Sequence, residues 1–141
     1  MLVREIMTTE VTTLQENETM FDAAMIFARS SLRHLPVLRD TTLVGVLTER
    51  DVKRFTPGLL SGVSSEQYNH LLETTPLSKV MTRDPMTLKP DQDIADAANI
   101  FSTKRFGCLP VVEDGKLVGI VTTSDMLRLL ARIMNDKRAD H

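Results

Sequence analysis

Apolar residues recur at helical spacing in two stretches of the chain, one beginning near residue 20 and the other near residue 94. Apolar positions three or four residues apart place one face of a helix against a core. Thr19 with Asp22 stands at the start of the first stretch, and Asp93 with Asp96 at the start of the second, where N-caps are expected. The pattern therefore predicts one helix after Thr19 and another after Asp93.

Each predicted helix is followed by two short runs that are rich in β-branched and other apolar residues. Such runs predict strands when turn residues bound them. Asp40-Thr41 separates the first pair of runs and Asp114-Gly115 the second, and an Asp-Gly pair favours a tight hairpin. The predicted strands cover residues 33–38, 43–47, 108–112 and 117–121.

Two further elements complete each half of the chain. A short extended piece is expected before the first helix, at 11–14 and at 86–88. A second helix is expected to start at Thr48 in one half and at Thr122 in the other, so that each half reads β-α-β-β-α. In the second half this helix is predicted to carry an apolar face made of Leu127, Leu130, Ala131 and Met134.

The two halves are copies of one sequence. Residues 6–54 recur without a gap at 80–128, with an offset of 74 positions (80 − 6). Polar positions match as well as apolar ones, which indicates two copies of one supersecondary unit. One copy is too small to cover its own apolar faces. We therefore expect a mixed α+β fold of two β-α-β-β-α repeats, packed sheet to sheet about a pseudo-twofold axis.

An insertion separates the two copies. Thr56-Pro57-Gly58 is expected to end the preceding helix, and Ser64 or Ser65 to cap an inserted helix over Glu66–Glu73. This helix either packs on a partner subunit, covers a cleft or lies on the surface as a linker. The expected division is a first repeat at 1–60, a helical linker at 61–76, a second repeat at 77–134 and a polar, frayed tail at 135–141.

The composition argues against several classes of partner. The 141 residues are 42% hydrophobic, which suits one compact domain. A net charge of −2 and an aromatic content of 4% provide neither a basic patch nor stacking platforms, so neither nucleic acid nor a membrane is expected. No apolar run approaches the roughly 20 residues of a spanning helix, and the first residues do not resemble a signal peptide. We therefore expect a cytoplasmic protein.

Metal binding and catalysis are also disfavoured. Cys108 is the only cysteine, and His70 and His141 stand apart from other ligand residues, so no metal site is expected. We interpret Cys108 as a buried small apolar residue rather than a reactive thiol. The sequence contains no recognisable nucleophile–base arrangement, which disfavours an enzyme.

Thr48 with Asp51, and Thr122 with Asp125, are the residues best suited to carry chemistry. In one interpretation they only cap helices: the hydroxyl accepts from a backbone N–H and the helix dipole stabilises the carboxylate. In the other, the helix start binds a nucleotide. Its free N–H groups suit a phosphate, and an ionised Asp accepts two hydrogen bonds from a ribose diol. The residues alone leave both interpretations open.

Four short motifs recur in the same order in both copies: a Met-Thr opening, a Leu-Pro-Val strand, Leu-Val-Gly and Thr-x-x-Asp. Together they resemble the CBS (cystathionine β-synthase) domain, and two in tandem resemble a Bateman module that extends from about Val3 to Leu130. The inserted helix and the segments 33–37, 48–51 and 107–111 are further similar to the acetoin-utilisation type of CBS protein. The ACT-like domain of some such proteins has no counterpart in these 141 residues.

The resemblance implies a regulatory module without enzyme activity. CBS pairs bind AMP, ADP, ATP or S-adenosylmethionine in two clefts between the repeats, need no other cofactor and form homodimers through their helices. Binding is expected to change the angle between repeats or subunits and so to bias a regulated protein, which the sequence does not name. The ligand-binding residues that the resemblance implies are Thr12, His34, Thr48, Arg50 and Asp51 in the first repeat, and Met86, Cys108, Thr122, Ser124 and Asp125 in the second.

The same resemblance implies that Asp51 and Asp125 bind ribose hydroxyls and that the threonines of the Thr-x-x-Asp pairs contact ribose or phosphate. The first cleft is expected to prefer the more charged nucleotide, because Arg50 can neutralise a phosphate where the second copy has Ser124. Alternatively, Arg50 is a solvated helix residue. The alternative function is a constitutive dimerisation or interaction domain without a small ligand, in which the Thr-x-x-Asp pairs serve only as caps.

Overall fold

A computed structural model describes residues 1–55 and 62–140 of the chain. The predicted helix end at Thr56-Pro57-Gly58 lies outside the described residues. The helices of the described ranges are α1 (Met20–Arg29), α2 (Glu49–Phe55), α3 (Ser65–Thr74), α4 (Ile94–Thr103) and α5 (Thr123–Ala139), with short 3-10 helices at Val3–Glu5 and Leu77–Lys79. The strands are β1 (Leu14–Gln15), β2 (His34–Arg39), β3 (Thr42–Thr48), β4 (Thr82–Arg83), β5 (Cys108–Glu113) and β6 (Lys116–Thr122).

Two compact units divide the chain at boundaries that differ from those of the sequence repeat. The N-repeat unit is the continuous segment Thr12–Pro85. The C-repeat unit combines Met1–Val11 with Met86–His141. The residues that open each sequence copy therefore fold with the residues of the other copy.

Apolar anchors hold these opening segments in place. Val3 and Leu77, which the offset of 74 relates (77 − 3), are both fully buried. Val3 lies in the core of the C-repeat unit and donates its backbone N–H to Gln92 O at 2.8 Å. Leu77 lies in the core of the N-repeat unit and donates to Glu18 O at 2.9 Å. Burial of one such side chain stabilises a fold by roughly 1.5–3 kcal/mol, which is enough to fix a short segment.

The threonine of each Met-Thr motif also pairs with a strand and so helps to hold the opening segment. In the N-repeat unit β4 pairs antiparallel with β3, with Thr82 opposite Val46. In the C-repeat unit Thr8 and Ile120 exchange two backbone N–H to O hydrogen bonds, each 2.9 Å long. The sequence did not predict β4, because two residues are too few to show the alternation that marks a strand.

Both hairpins form as predicted. β2 pairs antiparallel with β3, and β5 with β6, and each strand agrees with its predicted bounds to within one residue. In the second turn Asp114 and Gly115 have φ values of 52° and 79°, the left-handed conformations that a two-residue hairpin turn requires. Asp40 occupies the equivalent position of the first turn with φ 56°.

The extended pieces expected before each first helix are shorter than predicted. At 11–14 the prediction was wrong except at its last residue, because β1 contains only Leu14 and Gln15 and the chain turns directly afterwards. At 86–88 it was also wrong, since only Leu88 pairs, in an isolated bridge. Leu88 is 1% exposed, so burial of one residue fixes this segment without a ladder.

N-terminal caps start the helices where the sequence predicted them. Thr19 caps α1 in a capping box with Asp22, whose Oδ2 accepts from Thr19 N at 3.0 Å. Asp93 caps α4 by accepting from a backbone N–H of the first turn at 2.8 Å. The inserted helix is confirmed as α3 and Ser64 is its cap. Leu72 of α3 lies in the N-repeat core, so this helix packs on its own unit.

Helix α5 differs from its prediction at its C-terminal end. It continues to Ala139, so the prediction of a frayed tail from Asn135 was wrong for the described residues. Lys137 and Arg138 lie in the last turn, where the helix dipole stabilises cations. Within residues 1–55 and 62–140, no helix is long and apolar enough to cross a membrane. The predicted apolar face of α5 is exposed, and its members are Leu127, Leu130, Ala131 and Met134.

Candidate ligand-binding sites at two helix starts

The first candidate site lies where β3 ends and α2 begins. Thr48, the last residue of β3, donates its backbone N–H to Asp51 Oδ2 at 2.9 Å. Asp51 N donates in return to Thr48 Oγ1 at 3.1 Å. This reciprocal pair is a capping box, which satisfies N–H groups that the helix itself leaves without partners. The cap also fixes the position of the half-buried Asp51 carboxylate.

The second candidate site repeats this geometry where β6 meets α5. Asp125 Oδ2 accepts from Thr122 N at 2.8 Å and from Thr122 Oγ1 at 3.1 Å, and Asp125 N donates to Thr122 Oγ1 at 3.3 Å. The Asp125 side chain is more deeply buried than that of Asp51, with 8% exposed. Both Thr-x-x-Asp pairs therefore cap their helices, and a ligand would have to use the acceptor positions that the caps leave open.

An arginine that the sequence analysis did not single out contacts the second site. Arg128 Nη2 donates to Asp125 Oδ1 at 2.5 Å. A signal for it was available in the sequence, because Arg54 and Arg128 both follow the motif Asp by three residues. The signal was missed because an exposed helical arginine is usually a solvated residue.

A cavity of about 330 Å³ lies beside Asp125 within the C-repeat unit. The N-terminal 3-10 helix borders it on one side and α5 on the other. The repeat in the sequence did not predict this cavity, because the N-terminal segment belongs to the first copy in sequence and to the C-repeat unit in space. The cavity is lined by Glu5, Ile6, Asp125, Arg128, Leu129 and Arg132.

His34 lies next to the first site on the neighbouring strand. It is opposite Thr48 in the register of β2 and β3. Burial lowers the pKa of His34 below its ordinary value of 6.5, and the charge of Arg33 lowers this pKa further, while Asp51 acts in the opposite direction. The lowered pKa favours the neutral form of His34, which offers one hydrogen-bond donor and one acceptor.

Cys108 occupies the position in the second repeat that His34 has in the first. It is opposite Thr122 in the register of β5 and β6 and is 8% exposed. Burial raises the pKa of the Cys108 thiol to about 12, so the side chain stays protonated at neutral pH. This agrees with its interpretation as a small apolar residue rather than a reactive thiol.

The remaining implied residues lie at the surface. Arg50 is exposed in the first turn of α2 and Ser124 in the first turn of α5, each beside its motif Asp in sequence. Thr12 is exposed before β1, and Met86 is 43% exposed at the start of the second segment of the C-repeat unit. In the described part of the chain, no group of three His, Cys, Asp or Glu side chains could hold a metal ion.

Comparison with known families gives one match for each sequence copy. The CBS domain model matches residues 3–58 and 77–132. These two segments contain both Thr-x-x-Asp pairs and exclude the whole of α3.

Three solved structures are similar to the chain over almost its whole length. A protein assigned to acetoin utilization (AcuB) from Vibrio cholerae has a TM-score of 0.80 and 26% identity, with 99% of this chain and 96% of that chain covered. CBSX2 from Arabidopsis thaliana, in complex with AMP, has a TM-score of 0.78 and 27% identity, with 94% and 98% covered. The CBS domain pair of protein MJ0100, in complex with 5′-methylthioadenosine and S-adenosylmethionine, has a TM-score of 0.74 and 27% identity, with 93% and 96% covered.

These matches confirm three predictions from the sequence: the tandem CBS pair, its similarity to the acetoin-utilisation type, and the mixed α+β class.

Proposed function

Because the chain belongs to the CBS domain family, we propose that it is a regulatory module that binds an adenosine compound at the Thr-x-x-Asp helix start of each unit. AMP, 5′-methylthioadenosine and S-adenosylmethionine, which the similar structures contain, share an adenine and a ribose with two free hydroxyls. ADP and ATP carry the same group. The proposal assigns no catalytic step and no further cofactor to the chain.

The observation that carries the proposal is the hydrogen bonding of the Asp51 carboxylate. Its Oδ2 accepts a hydrogen bond from Thr48 N of the helix cap. Within residues 1–55 and 62–140, its Oδ1 has no hydrogen-bond partner. An ionised Asp is only an acceptor, and the two ribose hydroxyls supply donors. The cap holds the carboxylate in place before a ligand binds, so that little conformational entropy is lost on binding.

We propose that the two units prefer ligands of different charge. The N-repeat unit has Arg33, His34 and Arg50 close in sequence or register to Thr48 and Asp51. A phosphorylated ligand such as AMP, ADP or ATP suits these cationic and hydrogen-bonding groups. A ligand with an uncharged 5′ substituent suits the C-repeat unit better. Its equivalent residues are the uncharged Gly107, Cys108 and Ser124.

A constitutive dimerisation domain is the second candidate, and two observations favour it. Both capping boxes are complete without any ligand. In addition, Leu127, Leu130 and Met134 are 66%, 54% and 51% exposed on α5, which suits burial against a second copy of the chain. A homodimer is compatible with the first candidate too, so ligand binding rather than oligomeric state separates them.

The proposed module would act on a regulated protein through a conformational change that depends on the ligand. A ligand shifts a conformational equilibrium only by its different affinities for the two conformations. We place it in the cytoplasm, the compartment in which AMP, ATP and S-adenosylmethionine are available.

Thermal unfolding in the presence of AMP, ADP, ATP or S-adenosylmethionine tests the proposal. A ligand that binds only the folded state stabilises it by about 2.7 kcal/mol at a hundred times its Kd, and the melting temperature rises accordingly. Guanosine monophosphate serves as the matched control, because it has the same ribose phosphate and a different base. If none of the four adenosine compounds raises the melting temperature at millimolar concentration, the dimerisation domain is the better account.

A further inference from the structure

Asp51 and Asp125 occupy equivalent positions but differ in the hydrogen bonds that they already accept. Asp125 accepts three: from Thr122 N and Thr122 Oγ1 on Oδ2, and from Arg128 Nη2 on Oδ1. Within the described ranges 1–55 and 62–140, Asp51 accepts one, from Thr48 N on Oδ2. The two copies therefore share the Thr-x-x-Asp motif, but their Asp carboxylates accept different numbers of hydrogen bonds.

The difference in accepted hydrogen bonds affects how each carboxylate can bind a ribose diol. A carboxylate offers about four lone-pair positions, so Asp125 has about one left and Asp51 about three. The two hydroxyls of a ribose need two acceptor positions. Asp51 can accept both hydroxyls as it stands, whereas Asp125 can accept both only after one of its present donors leaves.

Arg128 is the donor that can leave. The hydrogen bond from Thr122 N belongs to the capping box, and the one from Thr122 Oγ1 comes from the same capping residue, so giving up either would disturb the start of the helix. The Arg128 side chain is 71% exposed, so water can solvate the guanidinium once it leaves, and the ribose hydroxyls then donate to the buried Asp125 carboxylate in its place. Displacing the guanidinium into solvent is therefore the least costly way to open the carboxylate.

We propose that Arg128 determines the specificity of the C-repeat unit: it occupies the Asp125 carboxylate and so weakens the binding of a ribose diol there relative to Asp51. The inference rests on the proposed function, in which both carboxylates bind ribose. It goes further by explaining why two units with the same Thr-x-x-Asp motif are unequal, and by naming the residue that makes them so.

Arg54 provides an internal comparison. It is the equivalent of Arg128, three residues after Asp51, and it is exposed. In the part of the chain that the structure describes, it makes no ion pair with Asp51. In α2 the ion pair is instead between Lys53 Nζ and Glu49 Oε1 at 2.9 Å.

Burial accounts for this difference between the copies. Asp125 is 8% exposed beside the cavity that the N-terminal segment borders, and a buried charge is costly unless it is paired. Asp51 is only half-buried, so water can solvate its free oxygen and no ion pair is required.

The test uses the full chain with Asp51→Asn, which retains an acceptor for the cap of α2 and leaves Asp125 as the diol site. Adenosine and 2′-deoxyadenosine are titrated calorimetrically into this variant, alone and combined with Arg128→Met. Adenosine is uncharged, so loss of the arginine charge does not by itself weaken the binding of this ligand. We expect Arg128→Met to tighten adenosine binding by about two- to fivefold, the range that a weak ion pair represents.

Two controls make this result specific. The affinity for 2′-deoxyadenosine, which needs only one acceptor position, should stay unchanged on Arg128→Met. Arg54→Met, combined with Asp125→Asn, should leave adenosine binding at Asp51 unchanged, because Arg54 does not occupy that carboxylate. Thermal unfolding without ligand shows whether each variant remains folded.

The outcomes separate this inference from the proposed function. If the unmodified chain binds adenosine compounds but Arg128→Met leaves adenosine binding unchanged, weaker or still undetectable in the Asp51→Asn chain, the role of Arg128 is overturned alone. An equal gain for 2′-deoxyadenosine overturns it as well. If the unmodified chain binds no adenosine compound, the proposed function fails and the role of Arg128 fails with it.

Discussion

Gly45 of β3 lies directly against Met81: a Cβ on Gly45 would approach Met81 Sδ to 2.6 Å and Thr82 O to 2.8 Å. The equivalent pair in the C-repeat unit is Gly119 and Met7, where a Cβ would lie 2.7 Å from Met7 Sδ. The recurring Met-Thr and Leu-Val-Gly motifs are therefore two sides of one contact. In each unit a strand from one sequence copy supplies the glycine, and the opening segment of the other copy supplies the methionine.

Gly45→Ala is expected to lower the free energy of unfolding by about 1–3 kcal/mol, the usual cost of overpacking, because both a side chain and a backbone oxygen must shift. Urea denaturation measures this change. In a Met81→Ala background the same substitution should cost less, since the side-chain part of the clash is gone. A Gly45→Ala protein as stable as the unmodified chain would contradict the close contact.

His34 makes the stability of the fold depend on pH. Its pKa is lowered from 6.5, so the folded state binds this proton more weakly than the unfolded state. Its contribution to stability is fully present above pH 6.5 and is lost as the pH falls through the lower pKa of the folded state.

Comparing His34→Asn with the unmodified chain isolates this effect, because the carboxylates that also titrate are common to both. Between about pH 7.5 and pH 5.5 the unmodified chain should lose more stability than His34→Asn does. His70→Asn, an exposed substitution on α3, is the matched control and should retain the full loss. Identical pH profiles for His34→Asn and the unmodified chain would show that His34 is not responsible.

Cys108 should react slowly with thiol reagents while the protein is folded. Raising its pKa from 9.0 to about 12 reduces the thiolate fraction at neutral pH about a thousandfold, and burial further limits access. Labelling with a chromogenic disulfide reagent, followed in native buffer and in denaturant, measures both rates. Labelling of the native protein as fast as that of the denatured chain would contradict the buried position of this thiol.

The two capping boxes built on Asp22 and Asp51 should contribute similarly to stability. In each, a Thr backbone N–H donates to Oδ2 of the Asp three residues later, at 3.0 Å for Asp22 and 2.9 Å for Asp51. Asp22→Ala and Asp51→Ala are each expected to lower the free energy of unfolding by about 1 kcal/mol. Denaturant unfolding of the ligand-free proteins checks this, and a much larger loss for one of them would mean that its carboxylate has another structural partner.

Local chemistry made much of the fold predictable. The capping residues Thr19, Asp93 and Ser64 and the Asp114-Gly115 turn act on residues only two or three positions away. Their effects can therefore be read without knowing the tertiary structure. The repeat then identified which positions correspond in the two copies.

Contacts between distant segments were not predictable in the same way. A repeat relates Met81 to Met7 but does not say which copy either one packs on, and only the fold pairs Met81 with Gly45. The contact between Arg128 and Asp125 depends on the burial of Asp125, whereas the equivalent Arg54 makes no such contact in the described residues. Identical motifs therefore acquire different properties from their surroundings.

The most direct test of the account is a calorimetric titration of AMP into the unmodified chain, Asp51→Ala and Asp22→Ala. The two variants lose the same kind of helix cap, but only one loses the proposed ribose acceptor. We predict that Asp51→Ala weakens the tighter AMP site at least about tenfold, corresponding to roughly 1.4 kcal/mol, while Asp22→Ala leaves it unchanged. Equal AMP affinity in Asp51→Ala and Asp22→Ala would contradict the central claim, because Asp51 would then be only a cap.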